Sequence, residues 1–81
     1  MKEVDVTYYA ALRETAGRDS EKVPLESGDT GAALYLRLAE RHGFGLKLSE
    51  LRLAVNDAFF SMEEEIPSGA KVVFIPPVAG G

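Results

Sequence analysis

The apolar run near the C-terminus, Val72 to Ile75, is the feature that most limits how this chain folds. A strand with one face in water alternates apolar and polar residues, and this run shows no alternation. It is therefore typical of a strand that is central in a sheet or buried on both faces. Pro76 and Pro77 follow at once. Because proline fixes φ and lacks a backbone donor, we expect them to end the strand and start an extended, flexible tail over residues 76–81.

The tail ends in two glycines, Gly80 and Gly81. Six extended residues span at most about 20 Å. Because glycine has no Cβ, this ending can pass through a narrow channel and carry the terminal carboxylate into the active site of another protein. A frayed terminus without a function is the alternative that the ending alone leaves open.

The remaining patterns predict a strand, a short helix, a strand, the main helix and three further strands. Pro24 cannot donate to a strand ladder, so the second strand is expected at the periphery of the sheet. Asp29 or Thr30 is expected to cap the main helix, with Leu34 and Leu38 facing the sheet. The predicted ranges are strands over 4–8, 20–25, 51–55, 58–61 and 71–75, and helices over 10–16 and 31–42, with an irregular segment over 44–50.

This order describes an α+β layer fold, a mixed sheet of about five strands packed on one main helix. Parallel pairing of the first and last strands at its centre would give a β-grasp sheet. We therefore divide the chain into a domain over residues 1–75 and the tail over 76–81.

Composition restricts the function further. With no cysteine among 81 residues, the chain has no disulfide, thiolate metal site or thiol nucleophile. A net charge of −4 argues against binding to a nucleic-acid backbone. No segment has the length and apolarity of a membrane span and no signal peptide is recognisable, so we expect a cytoplasmic protein. His42 alone makes no metal site, and we expect the consecutive acids Glu63 to Glu65 to be solvated.

Three stretches resemble the small, sulfur-carrying subunit of molybdopterin synthase, a ubiquitin-like β-grasp family. The ending FIPPVAGG, residues 74–81, is similar to the family's aromatic–apolar–PPV–small–GG ending. Residues 53–56, LAVN, resemble its strand and turn, and residues 8–14, YYAALRE, resemble its aromatic pair and first helix. The proline pair before the diglycine is the most specific of these features.

The resemblance implies that Gly81 is a covalent carrier. Its carboxylate would be adenylated by an activating enzyme that uses ATP and magnesium, and a sulfur donor system would convert it to a thiocarboxylate. The tail would then enter the large synthase subunit, in a heterotetramer, and give sulfur to cyclic pyranopterin monophosphate. The chain itself would bind no cofactor and have no active site of its own.

The resemblance also implies an apolar docking patch for both partners, formed by Tyr9, Phe59 and Ile75. Phe59 and Phe60 are adjacent, so on a strand only one of them can face the core. Ile75 stands where an aromatic is common in the family. The tail residues expected to contact the partner are Pro76, Pro77, Val78, Ala79 and Gly80.

Three other functions stay open at this point. A sulfur carrier of the thiamine type is disfavoured by Pro76 and Pro77, which such proteins usually lack. A ubiquitin-like modifier would form isopeptide bonds with lysines of target proteins. A plain β-grasp interaction module would need no free glycine carboxylate at Gly81.

Overall fold

A mixed five-stranded sheet, described for residues 2–77 by a computed structural model, carries the main helix on one face. The order of elements agrees with the prediction, and of the fourteen predicted ends ten agree and four differ by one or two residues. The elements are β1 (Glu3–Tyr8), α1 (Ala10–Ala16), β2 (Ser20–Pro24), α2 (Gly31–His42), a 3₁₀ turn (Leu48–Glu50), β3 (Arg52–Val55), β4 (Ala58–Phe59) and β5 (Lys71–Ile75).

The last strand, β5, is the central strand of the sheet, whose order is β2-β1-β5-β3-β4. It pairs in parallel with β1 and antiparallel with β3, as the β-grasp prediction required. Val72 and Phe74 are fully buried at 0% exposure, whereas Val73 and Ile75 on its other side are only half-buried. The apolar run thus marks a central strand, and burial on both faces is wrong. An apolar strip of the sheet stays open.

The core lies between the sheet and α2. Val4, Val6 and Tyr8 of β1 are buried on the helix side of the sheet, because alternate residues of a strand point to the same face. Leu34 and Leu38 of α2 are four residues apart and buried against them, as predicted. Burial of each of these side chains contributes roughly 2 kcal/mol, so the helix is held mainly by packing.

Thr30 caps the N-terminus of α2, where the sequence left Asp29 and Thr30 as alternatives. The Thr30 hydroxyl oxygen accepts a hydrogen bond from the backbone N–H of Ala33 at 3.1 Å. A Cβ added to Gly31, the first helical residue, would lie 2.3 Å from Cδ2 of the buried Leu53. The absence of a side chain there lets the start of the helix lie directly against β3.

The β4 strand is shorter than predicted. Asn56 and Asp57 have φ of 52° and 70°, values typical of a tight hairpin turn, and the predicted turn is confirmed. β4 then pairs only through Ala58 and Phe59. The chain turns at Ser61, whose carbonyl and hydroxyl oxygens accept hydrogen bonds from the next acidic residues, at 3.2 Å and 3.1 Å. After one more hydrogen bond to β3, from the backbone N–H of Phe60, those local bonds replace further pairing.

Asp29, which does not cap the helix, is buried and forms an ion pair with the half-buried Arg37. Its carboxylate accepts hydrogen bonds from Nη2 and Nη1 of Arg37 at 2.9 Å and 3.3 Å and from the backbone N–H of Glu26 at 2.9 Å. Nη2 of Arg37 also donates to the carbonyl of Pro24 at 3.0 Å. Burial would raise the pKa of Asp29, but these hydrogen bonds and the guanidinium charge outweigh it and hold the pKa below its usual value. The pair ties β2 and the following turn to α2.

We expect Asp29→Asn to destabilise the protein by about 1–2 kcal/mol at pH 7, because hydrogen bonds to charged groups are worth more than neutral ones. The pKa of Asp29 is lowered in the folded state, so its contribution is complete above its unfolded pKa of about 4 and disappears as the pH falls through the folded value. Urea unfolding at several pH values should show a constant difference from pH 7 to about pH 5 that shrinks below about pH 4.

Asp19→Asn is the matched control for this variant, because the Asp19 carboxylate is 84% exposed and lies 3.8 Å from Arg13. We expect this variant to stay within about 0.5 kcal/mol of the wild type at every pH. A cost of Asp29→Asn that does not change with pH would contradict the charge-based account.

Candidate functional site

The predicted docking residues lie at the end of the sheet from which the tail leaves. Tyr9 directly follows β1 and Ile75 ends β5. β1 and β5 are parallel, and Tyr8 lies opposite Phe74. The next residues, Tyr9 and Ile75, therefore lie at the same end of the sheet. Tyr9 is 51% exposed and Ile75 is half-buried. The structure thus brings two of the three predicted residues together beside the tail.

Phe59 belongs to the same open face but lies farther along it. Strand register places Val73, Ala54 and Phe59 in one row across β5, β3 and β4. Phe59 is therefore two strands away from β5, about 10 Å, and Ala54 and Val73 fill the space between. We call this open apolar strip, formed by Tyr9, Ala54, Phe59, Val73 and Ile75, the apolar face.

The two adjacent phenylalanines have different surroundings. Phe59 is 77% exposed, the largest exposure among the described large hydrophobic residues, whereas Phe60 is half-buried and packs against the core. The backbone N–H of Phe60 donates to the carbonyl of Leu53 at 2.9 Å, which fixes the chain at this point. The residue chosen for the surface is therefore the exposed one. Its part in binding stays a prediction.

Two grooves flank Pro76 and Pro77. One, of about 500 Å³, is mostly apolar, and Glu14 is the only charged residue among the described residues that line it. The other, of about 410 Å³, is bordered by the 3₁₀ turn and the start of β3. The first groove is lined by Tyr9, Ala10, Ala11, Glu14, Leu46, Ile75 and the two prolines, and the second by Ser49, Glu50, Leu51, Arg52, Ile75 and the same prolines. The chain leaves the sheet between two concave surfaces.

The remaining predicted site residues, Val78, Ala79, Gly80 and Gly81, lie outside the described residues. Their assignment as partner contacts and, for Gly81, as the carrier stays a prediction. What the structure places is the base of the tail. β5 ends at Ile75, Pro76 is half-buried and Pro77 is exposed. The division of the chain into a domain over residues 1–75 and a tail over 76–81 stays a prediction.

Sequence reasoning missed a polar cluster around Glu21 of β2. The Tyr8 hydroxyl donates to its carboxylate, and Nε2 of His42 lies 2.6 Å from it. Burial would raise the pKa of Glu21, but the hydrogen bonds from Tyr8 and His42 outweigh it and hold the pKa below its usual value. His42 thus links the end of α2 to the edge of the sheet. The contact is structural, and His42 lies away from the apolar face.

The described residues offer little for other chemistry. Between residues 2 and 77, no group of three or more His, Cys, Asp or Glu side chains could hold a metal ion. In the same range no helix is long and apolar enough to cross a membrane. The candidate site consists of the apolar face and the two grooves beside Pro76 and Pro77. Its role in docking and the role of Gly81 as the reactive group stay predictions.

Comparison with known proteins finds relatives in the family that the sequence resembles. The chain is 32% identical to the molybdopterin synthase sulfur carrier subunit of Escherichia coli K12, over 96% of this chain and 99% of the relative. One solved structure is that of a Pyrococcus furiosus protein described as a molybdopterin converting factor subunit 1, whose sequence is 30% identical to this chain. The two structures superpose with a TM-score of 0.79 over 96% of this chain and all of the Pyrococcus furiosus chain.

Two further structures share the fold at lower identity. The small archaeal modifier protein 1 of Haloferax volcanii is 20% identical with a TM-score of 0.81, over 96% of this chain and all of that one. Subunits 1 and 2 of the molybdopterin-converting factor of Helicobacter pylori, solved as a complex, give 21% identity and a TM-score of 0.65, over 98% of this chain and 99% of the matched one. The ubiquitin-like β-grasp prediction is confirmed. With the model of the ThiS family matching residues 6–81, this chain belongs to the ThiS family.

Proposed function

We propose that this chain is the sulfur-carrier subunit of a molybdopterin synthase. The observation that supports this most is its 32% identity with the Escherichia coli sulfur carrier subunit, along nearly the full length of both chains. The match at 30% identity to the Pyrococcus furiosus protein supports the same function. The Pro-Pro pair and the terminal diglycine of this chain fit such a carrier.

In the proposed reaction the carboxylate of Gly81 attacks the α-phosphate of ATP and forms an acyl-adenylate, with release of pyrophosphate. A carboxylate is a poor electrophile, and joining it to AMP supplies a good leaving group. Sulfur at the sulfide level, supplied by the donor system, then attacks the acyl carbon, displaces AMP and leaves a thiocarboxylate. Transfer of that sulfur to cyclic pyranopterin monophosphate, with water supplying the replacing oxygen, returns Gly81 to the carboxylate form.

The described part of the chain fits this function because it anchors and positions the tail. β5 is paired on both sides, so the root of the tail at Ile75 is anchored in the centre of the sheet. The six residues that follow can reach about 20 Å into a partner. Two exposed aromatic residues of the apolar face, Tyr9 beside the root and Phe59 two strands away from β5, are of the type enriched at protein interfaces. The chain contributes position and reach, while acids and bases are supplied by its partners.

The proposed partners follow from the same comparison. The Helicobacter pylori structure contains subunits 1 and 2 of its molybdopterin-converting factor, which supports a large-subunit partner for this chain. The heterotetramer, the activating enzyme with its ATP and magnesium, and the sulfur donor are further parts of the proposal. A cytoplasmic location stays a prediction.

A protein modifier is the second candidate. The fold is shared with a small archaeal modifier protein at 20% identity, so likeness of fold does not separate the two functions. The relatives at 30% and 32% identity favour the synthase subunit. A modifier would become joined through Gly81 to lysines of other proteins, whereas a synthase subunit would carry a thiocarboxylate.

Intact mass spectrometry tests the proposal. After incubation with ATP, magnesium, the activating enzyme and a sulfur donor, we expect the chain to gain about 16 Da, as one oxygen of the α-carboxyl is replaced by sulfur. Fragmentation should place the gain on Gly81, and omission of ATP should abolish it. If the activating enzyme adds sulfur to its own carrier but this chain gains no mass, the proposal is refuted. Adducts with lysine-containing proteins would instead support a function as a protein modifier.

A further inference from the structure

Arg52 is an exposed cation at the root of the tail. It begins β3, and its Cα is the cross-strand partner of Ile75, the last residue of β5. Directly opposed residues have Cβ atoms about 5 Å apart, so the Arg52 stem runs beside Ile75 on the open side of the sheet. Arg52 also lines the groove of about 410 Å³ that borders Pro76 and Pro77.

Two other basic residues of the open face, Lys22 and Lys71, form ion pairs within the chain, and Arg52 forms none with residues 2–77. Lys22 lies 3.2 Å from Asp5, and Lys71 lies 3.5 Å from Asp57. Within residues 2–77, no carboxylate oxygen lies within ion-pair distance of the Arg52 guanidinium. Glu50 shares its groove, but that carboxylate accepts a hydrogen bond from the backbone N–H of Lys47 at 2.9 Å.

We propose that Arg52 binds a carboxylate of the large synthase subunit, at the rim of the channel that receives the tail. The inference rests on the proposed function and adds to it a charged contact beside the apolar face. Because the guanidinium donates in a planar fork, a partner Asp or Glu can accept two hydrogen bonds from it.

The lengths of the tail and of the Arg52 side chain limit which anion Arg52 can contact. The reacting carboxylate of Gly81 lies up to about 20 Å from Ile75 when the tail is extended. An arginine side chain extends only about 7 Å from its Cα, so Arg52 cannot reach a substrate phosphate at the far end of the channel. Its anion must therefore come from the outer surface of the partner.

Charges of opposite sign on the two sides of the tail would orient the domain on its partner. Glu14 is exposed in the groove on the other side of Pro76 and Pro77. A cation on one side of the tail and an anion on the other favour one rotation of the domain about the tail axis. Such complementarity adds specificity and association rate more than affinity.

The test is binding of Arg52 variants to the purified large subunit encoded in the same genome. We expect Arg52→Glu to raise Kd by about 10-fold or more, and Arg52→Met, which keeps the apolar stem, to raise it by a smaller factor. Lys2→Glu is the matched control, because Lys2 is exposed at the opposite end of β1 and the substitution changes the net charge by the same two units. We expect this control to change Kd less than twofold.

Raising NaCl from 50 to 300 mM should weaken wild-type binding more than binding of Arg52→Met, because the variant lacks the charge that salt screens. Equal effects of Arg52→Glu and Lys2→Glu would overturn the inference, since net charge alone would explain them. Wild-type affinity for Arg52→Glu would overturn it as well, and would leave the proposed function intact. A wild-type chain that does not bind the large subunit would overturn the proposed function and this inference with it.

Discussion

A chain that lacks Gly81 is expected to fold normally and to lose sulfur transfer to cyclic pyranopterin monophosphate. Removing one extended residue moves the terminal carboxylate back by about 3.5 Å, because the domain docks at the same place. A misplacement of about 1 Å can already cost 100-fold in rate, so transfer should fall by more than 100-fold. Thiocarboxylate formation and molybdopterin production, each measured with purified partners, report this loss.

Gly81→Ala separates the position of the carboxylate from the need for glycine. This variant keeps the length of the tail and adds one methyl group, so activity between that of the wild type and that of the shortened chain indicates a narrow channel. The thermal unfolding midpoint should be the same for all three proteins, because the buried core lies within residues 4–74. Sulfur transfer within a few fold of wild type by the shortened chain would contradict the carrier function of Gly81.

The order of elements was predictable because each has a local signal. Gly17 and Gly43 end α1 and α2 with φ of 74° and 80°, a left-handed conformation that glycine adopts readily, so a glycine at the end of a helical pattern is such a signal. The central place of β5 followed from the missing alternation of Val72 to Ile75. That run also contained a signal for the site, since two of its four apolar residues are left only half-buried on the apolar face.

Contacts between distant residues were not predictable in the same way. Glu21 and His42 are 21 residues apart, and nothing in the local pattern of either one indicates the other. Asp29 was a reasonable cap by residue type, and only the packing of α2 brings the Arg37 guanidinium to it. Arg52 has no local signal either, because its importance comes from its cross-strand pairing with Ile75.

The choice between Phe59 and Phe60 depended on strand register, which a two-residue strand does not encode by periodicity. Register places Phe59 beside Ala54 on the open side, and Phe60 turns toward the core. Because Phe59 is exposed and Phe60 is half-buried, one pair of alanine variants can separate the effect on partner affinity from the effect on the free energy of unfolding.

We expect Phe59→Ala to raise the Kd for the large subunit by about 30-fold, corresponding to the loss of about 2 kcal/mol typical of an aromatic hot spot. Because Phe59 is 77% exposed in the free chain, its truncation should change the free energy of unfolding by no more than about 0.5 kcal/mol. Titration calorimetry and urea unfolding of the same preparation measure both quantities.

Phe60→Ala should give the opposite result. Its ring is half-buried against the core, so truncation should lower the free energy of unfolding by about 2–3 kcal/mol, somewhat less than for a fully buried phenylalanine. At a temperature where this variant is folded, its Kd for the large subunit should stay within about threefold of wild type, because Phe60 lies on the core side of the sheet. If Phe59→Ala bound the large subunit normally while Phe60→Ala did not, the open apolar face would not be the docking surface. The partner would then have to recognise the tail and its two flanking grooves alone.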